Sequence, residues 1–326
     1  METNISINLR NGAKISVKYD VNAMTCYTLL EQEKWFEDEY DFLVKYVKPN
    51  MVCFDIGANH GLYSIPFALN AMNGHVYAFE PTEIPRRRLE CSKELNQLNN
   101  LTILPVGLSD KNCKTRISID DNSELNSLQG KSERFEEINL VSIDSLFNDG
   151  TIPLNVDVIK MDAEGEEIRL LEGGKKFFED SSPLIMFELK HGDKINHGLI
   201  QKLKSFKFSI YRLLPEIGLL LPYDELNYSD SYQLNLFGIK KDLENKLMEE
   251  GVLINNPFEY ENKRETNSIT MNSVSYSDIL LSEIFKYYSN SHTDDFNIFK
   301  IIMKCYSDDL TPDMKYGLLL TLKYSL

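Results

Sequence analysis

The sequence holds no apolar run of the roughly 20 residues that a membrane span needs. Its opening, METNISINLRNG, lacks the basic stretch followed by an apolar one that marks a secretory signal. Neither a membrane span nor a leader is expected, and cytoplasmic residence follows by elimination. Cysteine is sparse. Cys26, Cys53, Cys91, Cys113 and Cys305 are scattered, odd in number and form no C-x-x-C pair, so a disulfide framework and a zinc knuckle drop out. Positive charge is in deficit: 35 Lys and Arg stand against 50 Asp and Glu, a formal net charge of -15. That balance repels phosphate backbones, so nucleic acid is not expected as a partner.

What is present is a globular composition, 42% hydrophobic and 26% charged over 326 residues, ample for a buried core and about two domains. Ile5, Ile7 and Leu9, then Ile15, Val17 and Tyr19, alternate with polar residues around Asn11-Gly12; this predicts a hairpin with a tight turn. Phe36, Tyr40, Leu43, Val44 and Val47 recur at helical spacing and predict a helix. From residue 51 to about 240, short apolar runs alternate with helical stretches. The runs are MVCFDI (51–56), HVYAFE (75–80), LTILPV (101–106), VDVIKMD (156–162), PLIMFEL (183–189) and FSIYRLL (208–214). Near-continuous apolar runs of this kind suit buried, mostly parallel strands with crossover helices between them. YQLNLFGIK (232–240) reads as a final, antiparallel strand, and CKTRISID and INLVSID as strands covering one sheet edge. Residues 254–275, rich in Asn, Ser, Thr and Glu, read as a linker, followed by three helices striped by residues such as Leu281, Phe299 and Leu318. The expected domains are an N-terminal hairpin and helix (1–50), an α/β domain (51–240) and a helical extension (241–326) that packs on the domain or on a second copy.

The chemistry concentrates at strand ends. In VCFDIGANHGLYS (52–64), a strand ends in Asp55 and passes through Gly57-Ala58-Asn59-His60-Gly61 into a helix. Glycine lets backbone turn sharply and approach a ligand closely, and open α/β sheets bind nucleotides at such strand ends. A purely structural turn is the bland alternative. The next strand ends in Glu80, placed to accept hydrogen bonds from both ribose hydroxyls of an adenosine-containing ligand. In VDVIKMDAEGEE (156–167), Lys160, Asp162 and Glu164 alternate at a strand exit. Asp162 reads as functional, Glu166 as an acid placed at a helix N-terminus by the dipole. LIMFELKHG (184–192) ends in Glu188, with Lys190 and His191 beyond it. His191 has the intrinsic pKa of a general base near neutral pH, although a loop histidine is more often plain surface. Arg86-Arg87-Arg88 reads as a solvated helix face.

The segments DIGANHGLYS, FEP, VGLSD, VSIDSL, IKMDAEGEEIRLLEGG and IMFEL resemble, in order and spacing, the FkbM family of methyltransferases over roughly residues 50 to 190, and more weakly to about 240. The resemblance implies a Rossmann-like class I methyltransferase fold, with a mostly parallel seven-stranded sheet and S-adenosylmethionine as methyl donor. It implies O-methylation of hydroxyl groups, often on sugars or polyketide-type products. Carried across, Asp55, Gly57, Ala58, Asn59 and Gly61 surround the methionine part of the cofactor. Glu80, with Pro81, holds the ribose. Gly107, Leu108, Ser109 and Asp110 lie where adenine contacts fall, and Asp162 and Glu164 stand near the transferring methyl. His60 occupies a position that is often apolar in the family. The terminal helical region has no counterpart, and a homo-oligomer through it is an expectation only.

Methyl transfer needs nucleophile, methyl carbon and sulfonium in line, and a hydroxyl acceptor must lose its proton. Asp162, Glu188 and His191 are the base candidates, with Lys160 as an electrostatic helper. Asp162, Glu164, Glu188 and His191 also offer oxygen and nitrogen donors for a divalent metal, but their spacing is no metal signature and no metal is assigned. Two other readings stay open: an NAD-dependent oxidoreductase, since Gly57 and Glu80 would serve either nucleotide, and a non-catalytic interaction protein acting through its helical tail. The absence of an N-P-P-[YFW] element weakens a DNA amino-methyltransferase.

Overall fold

The computed structural model describes residues 3–119, 134–191, 194–215, 218–223 and 234–254, with the side chains of 190, 191, 194 and 195 excepted. The chain divides into two compact units, Met1–Tyr211 with Asn227–Leu243, and Arg212–Leu226 with Glu244–Leu326. The first 100 residues supply β1 (Asn4–Asn8), β2 (Lys14–Lys18), α1 (Met24–Gln32), α2 (Asp38–Tyr46), β3 (Val52–Ile56), α3 (Ser64–Asn70), β4 (His75–Phe79) and α4 (Glu83–Leu95). There follow β5 (Leu101–Leu104), β6 (Gly107–Leu108), β7 (Cys113–Ser118), β8 (Phe135–Val141), α5 (Ile143–Asn148), β9 (Val158–Met161), α6 (Glu167–Gly173) and α7 (Lys175–Asp180). The remainder is β10 (Leu184–Glu188), β11 (Lys190–His191), β12 (Lys194–Ile195), α8 (His197–Ser205), β13 (Ser209–Leu214), β14 (Leu219–Pro222), β15 (Asn235–Ile239) and α9 (Lys241–Glu249).

The main sheet runs β14-β13-β15-β10-β9-β3-β4-β5. The pairs joining β10, β9, β3, β4 and β5 are all parallel; the runs of the central β3, β9 and β10 are buried almost throughout, as inner parallel strands require, whereas β5 at the sheet's end buries only Leu101. β15 is antiparallel to both β10 and β13, as its sequence predicts. The fold is α/β and Rossmann-like, with the crossover helices α3, α4, α6, α7 and α8 between the strands. The sheet has eight strands where the resemblance implies seven; the addition is β14, formed by the LLLP run after Gly218. In the second unit Leu219 and Leu221 pack with Ile254. The linker and the three helices expected after residue 254, and any self-association through them, lie outside the described residues.

The chain runs outward from β3 to β4 and β5, then returns to lay β9 and β10 on the other side of β3. The crevice at the carboxyl ends of β3 and β9 is therefore a topological switch point, where open α/β sheets hold ligands. Beneath it, the Phe54 ring lies 5.5 Å from Phe79 and 5.8 Å from Phe177, which keys the strand to α7.

The predicted hairpin forms: Ile7 faces Ile15 and Ile5 faces Val17 across β1 and β2, with Gly12 at φ +87° in the turn. It docks on α4. The Ser16 N–H donates to Ser92 Oγ at 2.9 Å, and Asn96, one turn on, bonds both backbone groups of Lys14. Arg88, on the same face, is buried and donates to Asn4 Oδ1 at 3.3 Å. This corrects the reading of Arg86-Arg87-Arg88 as a uniformly solvated face; Arg87 alone is largely exposed, with 71% of its side-chain surface accessible. Helix α1 carries no clean apolar stripe in the sequence, since Met24, Tyr27 and Leu30 are exposed apolar residues while Cys26 and Leu29 are buried. A small sheet ordered β6-β8-β7 packs Ile117, Ile138 and Leu140 together.

Candidate active site

The loop after β3 wraps the end of β4. The N–H groups of Gly57 and Ala58 both donate to the Phe79 carbonyl, at 3.1 and 3.0 Å. Gly57 has φ +72°, and a Cβ there would overlap the carbonyl oxygen of Asp162. At Gly61, φ is +89° and a Cβ would run into Leu89. The glycines are therefore demanded by neighbouring protein atoms, Asp162 at the end of β9 above all, so that the two loops of the switch point can interlock. Asn59, at φ +46°, turns its N–H to Glu80 Oε2 at 2.9 Å. Glu80 Oε1 accepts the Thr82 N–H at 2.9 Å and the Thr82 hydroxyl. Two backbone donors thus fix a buried carboxylate at the edge of the cavity; burial pushes its pKa up, and those hydrogen bonds pull the other way.

Lys160 is the hub. Its Nζ donates to Gly57 O at 2.9 Å, lies 3.2 Å from Asp162 Oδ2 and 3.7 Å from Asp55 Oδ1, and sits 5.5 Å over the Tyr63 ring. Burial alone would lower its pKa, but the carboxylates of Asp162 and Asp55 outweigh that and hold it above the ordinary lysine range. Asp55 is fully buried, and its Oδ2 accepts the Ser64 hydroxyl at 2.5 Å. Asp162 Oδ1 is buried with no hydrogen-bond partner, an acceptor left over for a ligand. The next turn carries Glu164 at φ +51° and Gly165 at φ +95°, and Glu167 Oε1 accepts the N–H groups of Ala163 and Gly165 at 2.9 and 3.1 Å.

These groups border one cavity of about 210 Å³. Gly57, Ala58, Asn59, Glu80 and Pro81 line one part of it, Lys160, Asp162, Glu164 and Glu188 another. Leu108, Ile138 and Leu140 supply an apolar wall. Burial, reinforced by the charges of Asp162, Glu164, Glu167 and Glu37, raises Glu188 to about 8. Ser109 does not line the cavity: its hydroxyl is turned to Glu166 Oε2 at 3.0 Å. Asp110 is exposed outside it. Glu166 is more than an acid drawn to a helix dipole, since it is buried and bonded to Ser109 and Arg169. Asp55 and Gly61 stand behind the lining, and His191 lies in β11 with its side chain outside the described residues. His60 is buried with Nε2 3.1 Å from an Arg88 nitrogen; burial and that guanidinium lower it to about 3, so it is neutral and accepts. Among the described residues no three metal-ligating side chains converge.

Sequence reading missed the wall supplied by the N-terminal segment, Thr25, Trp35 and Glu37. Glu37 accepts the Tyr63 hydroxyl at 2.7 Å and precedes α2 at its N-cap. The one available signal was an acid just ahead of an apolar helical stripe, which reads equally well as an ordinary first-turn charge.

Residues 55–210 match the methyltransferase FkbM domain. The similarity to that family lies within this stretch. Among solved structures it is similar to Methyltransferase FkbM from Methylobacillus flagellatus KT, at 17% identity and a TM-score of 0.42, with 59% of this chain and 44% of that chain covered. This protein therefore spans under half the length of that relative. It is similar also to M. jannaschii TYW2 in complex with AdoMet, at 12% identity and a TM-score of 0.39, covering 73% and 86% of the two chains. A methylase from Streptococcus thermophilus, described as acting on rRNA, aligns at 12% identity and a TM-score of 0.36 over 62% and 93%. No curated protein matches the chain. The FkbM match takes in β3 through the start of β13, so it holds the switch-point loops but not the N-terminal wall of the cavity.

Proposed function

We propose that this protein transfers the methyl group of S-adenosylmethionine to a hydroxyl of a small-molecule acceptor, a sugar or glycan being the class favoured. The observation that carries the reading is the charge of the cavity wall. Glu37, Glu80, Asp162, Glu164 and Glu166 line it together with Lys160, the one lysine or arginine lining it among the described residues, and that lysine is already tied to Asp55, Asp162 and Gly57 O. Such a wall suits a nucleoside bearing a sulfonium and an ammonium, and it disfavours the pyrophosphate of NAD. The donor set fits the cofactor: Glu80 offers acceptors to ribose hydroxyls, Leu108 and its apolar neighbours offer faces to adenine, and Asp162 Oδ1 offers an unused acceptor.

When bound, S-adenosylmethionine supplies an electrophilic methyl: the O–C bond forms as the C–S bond breaks, and the electron pair stays on sulfur. The protein's part is orientation and proton removal. Glu188, raised to about 8, is the base assigned to the acceptor proton, because its proton affinity lies near that of a working general base at neutral pH. Lys160 holds the β3 and β9 loops in register. His191 stays a second base candidate. No metal is assigned a role, and activity should survive chelation.

Calorimetric titration with S-adenosylmethionine and, in parallel, with NAD tests the cofactor. Saturable binding of the first, lost in Glu80→Ala, is expected; binding of NAD alone overturns the reading. Transfer of labelled methyl to a panel of sugars, glycans, proteins and nucleic acids tests the acceptor. If only proteins or nucleic acids take label, the hydroxyl assignment is wrong.

A further inference from the structure

The carboxylates at the carboxyl ends of β3 and β9 already have a cation, since Lys160 occupies both Asp55 and Asp162. Glu37 is different. Among the described residues no cation lies within ion-pair distance of it, yet it accepts the Tyr63 hydroxyl at 2.7 Å. That bond occupies one oxygen of a carboxylate that lines the cavity, and further acceptor sites on it stay unused. Its strongest charged neighbours are Asp162 and Lys160, which places it on the β9 side of the Gly57 loop. Glu80 lies on the other side, beyond β4. A ligand whose ribose rests on Glu80 and whose chain crosses the Gly57 loop therefore ends near Glu37. Resting on the S-adenosylmethionine reading above, we propose that Glu37, oriented by Tyr63, receives the α-ammonium of the cofactor's amino-acid part. Glu188, which has no such donor among the described residues, is left to the acceptor side. The N-terminal segment, outside the matched domain, thereby completes the cofactor site and makes it select ligands that carry the amino-acid chain.

The test compares two ligands in the full-length protein: S-adenosylhomocysteine, which has the ammonium, and 5′-methylthioadenosine, which shares the adenosine and thioether but lacks it. Affinities come from calorimetry, with fluorescence of Trp35, the single tryptophan of the chain, as a second readout. A hydrogen bond between charged partners corresponds to roughly 10- to 100-fold in affinity. Glu37→Gln should weaken S-adenosylhomocysteine by about that factor and leave 5′-methylthioadenosine unchanged. Tyr63→Phe, which keeps the carboxylate but frees it, should weaken only the first ligand, by about 2- to 10-fold. An unchanged affinity for S-adenosylhomocysteine in Glu37→Gln, or an equal loss for both ligands, overturns the assignment while the cofactor site stands. If the unaltered protein binds neither ligand, the S-adenosylmethionine reading itself fails and takes this one with it.

Discussion

Glu188 should make the protein less stable as pH rises, and its removal should reverse that. Its carboxyl is raised from 4.5 to about 8, first by burial and then by Asp162, Glu164, Glu167 and Glu37. A group whose folded pKa lies above its unfolded value stabilises fully below the unfolded value. That contribution is lost as pH climbs through the folded value. The window here runs from about pH 4.5 to about pH 8. A tenfold change in proton affinity is worth about 1.4 kcal/mol, so the full rise amounts to about 5 kcal/mol at most. Part of it relaxes through the neighbouring acids, and about 2 kcal/mol is the expected net effect. Glu188→Gln is isosteric and neutral. At pH 9 it should be more stable than the unaltered protein by that amount, a rise in Tm of roughly 4–8 °C for a unit of this size. At pH 5, near the foot of that window, the gain should be less than half as large. Scanning calorimetry at both pH values in the absence of ligand reads this directly. A variant that is no more stable at pH 9, or equally stabilised at pH 5 and pH 9, refutes the account of Glu188 as a strained, proton-hungry carboxyl. The same variant should lose methyl transfer, the expected trade of stability against function at a working site.

Two further perturbations probe the floor of the cavity. His60, lowered to about 3 by burial and by Arg88, has a folded pKa below its unfolded value; its contribution is present above about pH 6.5 and drains away as pH falls toward 3. Its imidazole NMR signals should stay flat between pH 5 and 8, and a midpoint near 6.5 would show that the ring is not sealed against Arg88. Lys160→Met should cost about 3–5 kcal/mol in denaturant unfolding, because it leaves Asp55 and Asp162 without their cation. A loss of activity at unchanged stability would instead mark Lys160 as acting on the reacting groups.

Much of this was legible in order along the chain. Apolar runs ending in Asp55, Glu80, Asp162 and Glu188 announced four parallel strands whose carboxyl ends share a crevice, because strand burial and strand-end polarity are both local properties. What stayed hidden depends on partners distant in sequence. Arg88 looks like a surface residue within a basic run, until His60 and Asn4 receive it from 28 and 84 positions away. Glu166 looks like a dipole acid until Ser109, 57 positions off, turns to it. Glu37 joins the site only once Tyr63 and the β9 loop are folded beside it. Strand β14 is too short for alternation to reveal.

The interlock between Gly57 and Asp162 also sets a timetable for the nascent chain. Strand β3 emerges early, but its neighbour β9 is anchored to it by the Val52 N–H on Asp157 Oδ2 at 2.8 Å, 105 residues later. Until that stretch has been synthesised, β3 has β4 on one side and a bare, apolar edge on the other, the kind of edge that recruits other strands. Chains arrested before residue 158 should therefore be sticky and ligand-blind, and the site should appear all at once when β9 slots in.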